Sequence, residues 1–498
     1  MIKGFTRRYK PLEFMTTEEM DAIHRAALLV IQKTGMRIQH KPTLQVLADH
    51  GCEVNLDEQR ARIPPGLVEE CLRKVPSGFM LRARDRAKDV MVGGDTVYFM
   101  QGMGARYVDL ETWETRPATA AEHRDAMIVA DALENTHIAE AWEIYTDRSG
   151  IPPIMAMLEN LASGIRYSSK TQVAGNIHDT EIFAIQMAKA AETDLLPEIE
   201  HVAPLTIQSG GIEAAYRYME AQIPIVPGLT VSMGATGPVT LAGSVMLMVA
   251  EMMGWVVVSQ LHTPGAPMAI HHSTAPVDMR TGYRLQGNPT RGITTGMMNQ
   301  MLRRYRIPIF SNAGYAGNSK KIDYQTGYEK ITLTCLSAIS GAHLHNFQGS
   351  TGLELVYSPV LSVMDDDGAG WIGRVVEGAA ISDETLAFEV INQVGPSPGH
   401  YLGTAHTREW WNKETFFPQV ADVEPYASWI KTGKKDMMAR AKEKVEEILA
   451  THKPLPLTPQ QDQGVEAALK EARDHYRKQG VITEEEWSEY MDTLRSEG

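Results

Sequence analysis

The sequence predicts an α/β fold, a (β/α)8 barrel flanked by an N-terminal α+β region and C-terminal helices. Three observations carry this. Between about Pro224 and Asp367, short apolar runs (IPIVPGLTV, PMAIHH, IPIFSN, HLHNFQG) each break into Gly, Ser, Asn or His, and a helix-length segment follows. Eight such runs are found: HIAEAWEI, TQVAGNI, HVAPLTI, IPIVPGLTV, APMAIHH, IPIFSN, HLHNFQG and LSVMD. The span from Thr119 to about Val394 matches the roughly 250 residues this barrel requires.

The elements follow in order. TTEEMDAIHRAALLVIQKTG begins with Thr16 or Thr17 as N-cap and an acidic first turn, and stops at Gly35. A second helix is expected from Pro42 to His50. From Phe79 to Thr119, FMLRARD, KDVMVGG, TVYFMQGM and ARYVDLETWETR alternate apolar and polar residues around turns, which predicts an antiparallel sheet. The helix TAAEHRDAMIVADAL opens the barrel. After it come the loop VGPSPGHYLGTAHTREWW, the helix KKDMMARAKEKVEEILATHK, a break at KPLPLTP and two charged helices. The last carries Trp487, Tyr490, Met491 and Leu494 on one face, predicting that it docks on its own or a neighbouring subunit. The expected division is 1–118, 119–395 and 396–498.

Composition excludes several classes. With 498 residues, 43% hydrophobic and 22% charged, the chain is an ordinary globular one. Its net charge of -14 repels polyanions, so nucleic acid is not an expected partner. Cys52, Cys71 and Cys335 form no CxxC pair, which argues against disulfides and structural zinc; a cytoplasmic protein is expected. No signal peptide stands out at the N-terminus. The apolar stretch VTLAGSVMLMVAEMMGWVVVSQL is interrupted by Glu251 and reads as a buried barrel helix rather than a membrane span.

Four motifs, GATGPVTLAG (Gly234 to Gly243), QLHTPGAPM (Gln260 to Met268), DYQTGYEK (Asp323 to Lys330) and GHYLGTAHT (Gly399 to Thr407), resemble the trimethylamine methyltransferase family across nearly the whole chain. The resemblance implies a TIM barrel that transfers a methyl group from a methylated amine to the cobalt of a separate corrinoid protein. It also makes self-association expected. Founding members carry pyrrolysine, in a region that reads GAHLHNFQGSTGLEL in this chain; near Ser350 to Gly352 only ordinary residues occur. The chain thus resembles the non-pyrrolysine branch, whose members act on quaternary amines such as glycine betaine, proline betaine and carnitine.

Chemistry agrees with that substrate class. A quaternary ammonium leaves as a neutral amine without covalent activation, so the protein need only desolvate it and aim one methyl at Co(I). Aromatic faces attract such a cation. Phe347, Tyr315, Trp142 and Tyr145 are candidates at the expected rim, and Tyr98 and Phe99 from the preceding sheet, where packing is the competing role. His343 and His345 share one strand side, facing either the barrel or its helices; if inward, His345 would bind a substrate carboxylate. Gln348, Asn312, Gln208 and His272 are further donors. Neighbouring His271 and His272 point to opposite sides and cannot easily share an ion, so no metal site is expected. Asp365, Asp366 and Asp367 read as a helix N-cap and solvated loop. GATGPVTLAG lacks the GK[ST] of a phosphate loop and reads as a tight turn before a helix that starts near Thr240, small enough for a corrin ring to approach. A betaine-binding barrel without catalysis is the alternative.

Overall fold

A computed structural model describes residues 3–140 and 150–497. Its centre is a closed barrel of eight parallel strands: β1 (Thr96–Gln101), β2 (Ile138–Ala139), β3 (Thr171–Ala174), β4 (Leu195–Glu200), β5 (Val226–Met233), β6 (Ile270–Pro276), β7 (Ile309–Ser311) and β8 (Leu344–Gln348). Leu344 opposite Tyr98 and Asn346 opposite Met100 close β8 onto β1. Each strand feeds one helix: α1 (Ala120–Ala132), α2 (Pro153–Tyr167), α3 (Thr180–Ala191), α4 (Ser209–Glu220), α5 (Leu241–His262), α6 (Pro289–Tyr305), α7 (Tyr324–Ile339) and α8 (Pro359–Glu377).

Strand alternation divides the core in two. Inside the barrel lie Tyr98, Met100, Ile138, Leu196, Val226, Ala269, Phe310 and Leu344, packed on Phe79, Leu81, Val90 and Val92. The last four belong to an antiparallel hairpin, Gly78–Leu81 with Val90–Gly93, that plugs the end where the strands begin. Outside, Phe99 and Phe347 pack with Ala338 of α7 and Ala369, Ile372 and Val376 of α8.

Three strand assignments differ from expectation. TVYFMQ is β1, not part of an antiparallel sheet, so the barrel begins upstream of residue 119. Both faces of this strand are buried, and its half-exposed neighbours FMLRARD and ARYVDLE lent it their apparent alternation. HVAPLTI is not β4; its Thr206–Ile207 pairs with Met36–Ile38 in a small N-terminal sheet, and LLPEIE supplies the strand. LSVMD lies inside α8. The Arg106–Val108 and Thr115–Arg116 strands join Ser350–Thr351 and Val356–Tyr357 in a small sheet beyond the ends of β1 and β8.

The membrane-length helix α5 is a core helix. Its inner face meets β5, while Thr17–Lys33 and Pro65–Lys74 cover its outer face, so it is apolar all round. Thr16 caps Thr17–Lys33 through a capping box, which explains that start.

The three aspartates correct another expectation. They sit within α8, buried, and each takes a different partner set. Asp365 accepts from Gly349 N–H and pairs with Lys330; Asp366 accepts from Asn135 and Gln348; Asp367 accepts the N–H groups of Gln419, Val420 and Ala421. Asp367 thus tethers a C-terminal arm whose four helices, from Asp383 to Lys431, contain no buried residue. The terminal helix Glu484–Glu497 docks on its own chain, its buried Tyr490 donating to Glu159 of α2.

Candidate functional site

The open end of the barrel, where the strands finish, is the site. Alternation places His271 and Ser273 of β6 inside, together with Asn312 beyond β7, Asn346 of β8 and Glu198 of β4, because Ala269, Phe310, Leu344 and Leu196 are inward. His271 Nδ1 lies 3.2 Å from Glu198 Oε2, and its ring stacks on Phe310 with centroids 4.4 Å apart. Among the described residues its Nε2 is buried without a hydrogen-bond partner. So are Asn312 Oδ1 and both side-chain polar atoms of Asn346. Buried polar atoms are rarely left unsatisfied, and their concentration on inward strand positions is what a small polar ligand would complete.

Glycine shapes the mouth at one point. A Cβ on Gly102 would stand 2.3 Å from the Tyr315 ring and 2.9 Å from Asn346 Oδ1, so only glycine lets these two side chains meet β1. Tyr315 is held rigidly, donating its hydroxyl to the Met103 carbonyl at 2.9 Å.

Two arginines come from the loop after β6 and from α6. Arg291, fully buried, donates to Gln286, to Ser273 Oγ at 3.2 Å and to the Asn312 carbonyl; burial pulls its pKa down to about 9. Arg284 reaches Ser273 Oγ at 3.4 Å. Opposite them, the turn that joins Ser350–Thr351 to Val356–Tyr357 carries Glu354 at a positive φ of 70°, its Oε1 accepting from Gln286 at 3.2 Å. Burial pushes the Glu354 pKa up, opposed by Arg284 and Arg291.

Lys330, the last residue of DYQTGYEK, fastens this region. Its buried ammonium donates to the carbonyls of Tyr315, Phe347 and Ser350 and pairs with Asp365. Asp323, at the other end of the motif, caps α7. GATGPVTLAG forms the expected turn, with Thr240 as N-cap of α5 and Ser244 donating to the Pro238 carbonyl.

Of the residues expected at the site, Asn312 and Tyr315 are there. Tyr98 faces the interior but at the closed end, its hydroxyl meeting the Met91 backbone of the plug. His345, Phe347 and Phe99 face the helices instead: the His345 ring lies 5.5 Å from Phe99, and burial lowers its pKa to about 3. Leu344 occupies the inward parity, which turns both histidines of HLH outward. His272 binds Asn299 of α6 at 2.8 Å, so His271 is the inward member of that pair. The bulge in β8 turns Gln348 outward to Thr136 and Asp366. Gln208 is exposed at the start of α4. Trp142 and Tyr145 lie outside the described residues. Sequence reasoning missed Glu198, Arg284 and Glu354; the first would have followed from reading LLPEIE as a strand. Among the described residues no cluster of three metal-ligating side chains occurs.

Comparison with known proteins completes the description. The model of the trimethylamine methyltransferase (MTTB) family matches residues 1–479. A glycine betaine methyltransferase of Desulfitobacterium hafniense (strain Y51) is 28% identical over 469 residues, covering 91% of this chain and 96% of that protein. The trimethylamine methyltransferase MttB of the same species (strain DSM 10664 / DCB-2) is also 28% identical, over 92% of this chain and 94% of its own. Among solved structures, the Methanosarcina barkeri monomethylamine methyltransferase superposes with a TM-score of 0.51 at 11% identity, over 93% of this chain and 88% of that one, a likeness of fold.

Proposed function

Since the chain belongs to the trimethylamine methyltransferase family, we propose that it moves a methyl group from a quaternary amine, glycine betaine foremost, to Co(I) of a corrinoid carried by a separate protein. The observation that carries this reading is the barrel mouth, where half-buried charges of both signs, Arg284 and Glu354, lie with Asn312, Asn346 and His271, whose buried polar atoms are unsatisfied among the described residues. A small zwitterion would satisfy such a lining, and glycine betaine is one.

The chain's own tasks follow. Cobalt supplies the nucleophile from the partner, so the protein binds and orients the donor and excludes water. Tyr315, fixed by Met103, offers a ring to the ammonium without a hydrogen bond. Asn312 and Asn346 orient the remaining polar atoms, and the sheet carrying Glu354 narrows access. The departing amine is neutral, so no proton transfer is assigned. His345, Phe347, Phe99, His272, Gln348 and Gln208 have no part in this, because their side chains point to the helices or to solvent. The exposed turn at Gly234 is the surface a flat corrin ring would approach on this reading. The same reading makes the protein a cytoplasmic, self-associating enzyme, and Ile381, Phe388 and Leu402 of the exposed arm are apolar surface that association would cover.

The test is demethylation of a panel of betaines and methylamines with free cob(I)alamin as acceptor, followed by the visible change to methylcob(III)alamin. Turnover of glycine betaine but not trimethylamine supports the proposal. Faster turnover of proline betaine or carnitine moves the substrate within the class. Binding without turnover, even with a corrinoid protein as acceptor, points to a non-catalytic betaine-binding barrel.

A further inference from the structure

Building on glycine betaine as donor, we propose that Arg284 receives the substrate carboxylate and is the residue by which the site selects a betaine over a plain quaternary ammonium. Its position is the first argument. Ser273, which it reaches, is an inward residue of β6, and Glu354, Arg291 and Arg284 lie close enough to feel one another's charge across the mouth.

Its unmet bonding is the second. Among the described residues its guanidinium makes one hydrogen bond, the long 3.4 Å contact to Ser273 Oγ, and its Nε is buried with no partner. A guanidinium withdrawn from water needs a carboxylate or several acceptors. Arg291 shows the contrast: its donors are spent on Gln286, Ser273 and the Asn312 carbonyl, so it frames the site. Among the described residues Glu354 and Arg284 form no direct ion pair: Glu354 Oε1 accepts from Gln286, and the carboxylate reaches Arg284 only through its field.

Ligand chemistry is the third. The planar fork of arginine matches a carboxylate with two parallel bonds. A zwitterion would satisfy Arg284 with its carboxylate while its ammonium lies in the field of Glu354. Tetramethylammonium, which is glycine betaine without the carboxylate, would leave Arg284 bare, and a site that keeps a half-buried charge unpaired disfavours such an analogue.

The experiment is titration calorimetry of the full-length protein, its Arg284→Gln and its Arg284→Lys variants with glycine betaine and with tetramethylammonium, each variant's melting temperature being recorded alongside. Arg284→Gln is expected to weaken glycine betaine by roughly 10- to 100-fold while tetramethylammonium stays within about twofold. Arg284→Lys should recover part of the loss, since lysine returns the charge without the fork. Equal weakening of both ligands in the two variants would assign Arg284 to packing, and unchanged glycine betaine affinity would also overturn the proposal. A wild-type protein that binds both ligands equally sinks the role of Arg284 but leaves a quaternary-amine methyltransferase standing. One that binds neither sinks the donor reading and Arg284's role with it.

Discussion

Lys330 Nζ lies 3.1 Å from Asp365 Oδ2, both side chains almost fully enclosed, so one buried cation ties the ends of β7 and β8 to α8. Burial lowers the Lys330 pKa and raises that of Asp365 to about 6, so for each partner desolvation outweighs the attraction. The pair's value lies in the carbonyls it gathers. Removing one partner leaves the other charge buried. Lys330→Met is therefore expected to lower the unfolding free energy by about 3–5 kcal/mol in urea titrations. Adding Asp365→Asn should restore a measurable part; a double variant less stable than the single one would refute this account.

The two histidine pairs give a direct test of orientation. His271 faces the mouth and His345 faces the helices, so His271→Ala should lower kcat/KM for glycine betaine by about 10- to 100-fold, while His345→Leu should leave KM within twofold. Steady-state kinetics on folded variants decides, and a KM rise confined to His345→Leu would reverse the assignment.

Acid should loosen the joint between α1 and the C-terminal helices. Burial alone would raise the Asp131 pKa, but Lys170 and Lys88 beside it, with hydrogen bonds from Lys88 and His452, hold it well below the usual carboxylate range. A depressed folded pKa contributes stability that is present above the unfolded value near 3.8 and is lost as pH falls below it. Asp131→Asn should therefore be less stable than wild type at pH 7, with the gap closing as the pH is lowered below about 4; thermal melts across that range measure it.

Asp367 holds the arm by three backbone N–H groups. Asp367→Ala should speed hydrogen exchange at residues 419–421 and proteolysis within residues 379–436, with the barrel strands unchanged. Exchange read by mass spectrometry shows whether the loss is local.

Replacement of Gly102 by alanine should abolish substrate binding or destabilise the protein, since the new methyl meets the Tyr315 ring, which is pinned to Met103. Calorimetric affinity near wild type in a fully folded Gly102→Ala protein would show that Tyr315 can retreat.

The barrel was legible because helix-length segments between apolar runs have few other solutions, and six of the eight strands fall on the runs that rhythm marks out. TVYFMQ escaped because both its faces are buried, so its alternation carries no polar signal, whereas the nearby hairpin strands do alternate; LLPEIE escaped because Pro197 and the glutamates Glu198 and Glu200 break its apolar run. LSVMD reads as a strand locally, yet Pro359 starts a helix through it. Side-chain orientation was the harder matter. In HLHNFQ both parities mix polar and apolar residues, and whether His345 or Asn346 faces inward depends on closure against Tyr98 and Met100, a contact more than 240 residues away in sequence. The aspartate triplet was misjudged because consecutive carboxylates usually seek water; these were paired one by one with distant donors.

The hairpin that stoppers one end of the barrel leaves the end where the strands finish as the doorway among the described residues. On the proposed function, a donor bound there would enter before an acceptor protein covered the opening, and the demethylated amine would wait for that protein to depart. For such an enzyme the kinetics would be sequential and ordered, with excess acceptor protein slowing turnover by sealing the empty doorway or trapping the spent amine behind it.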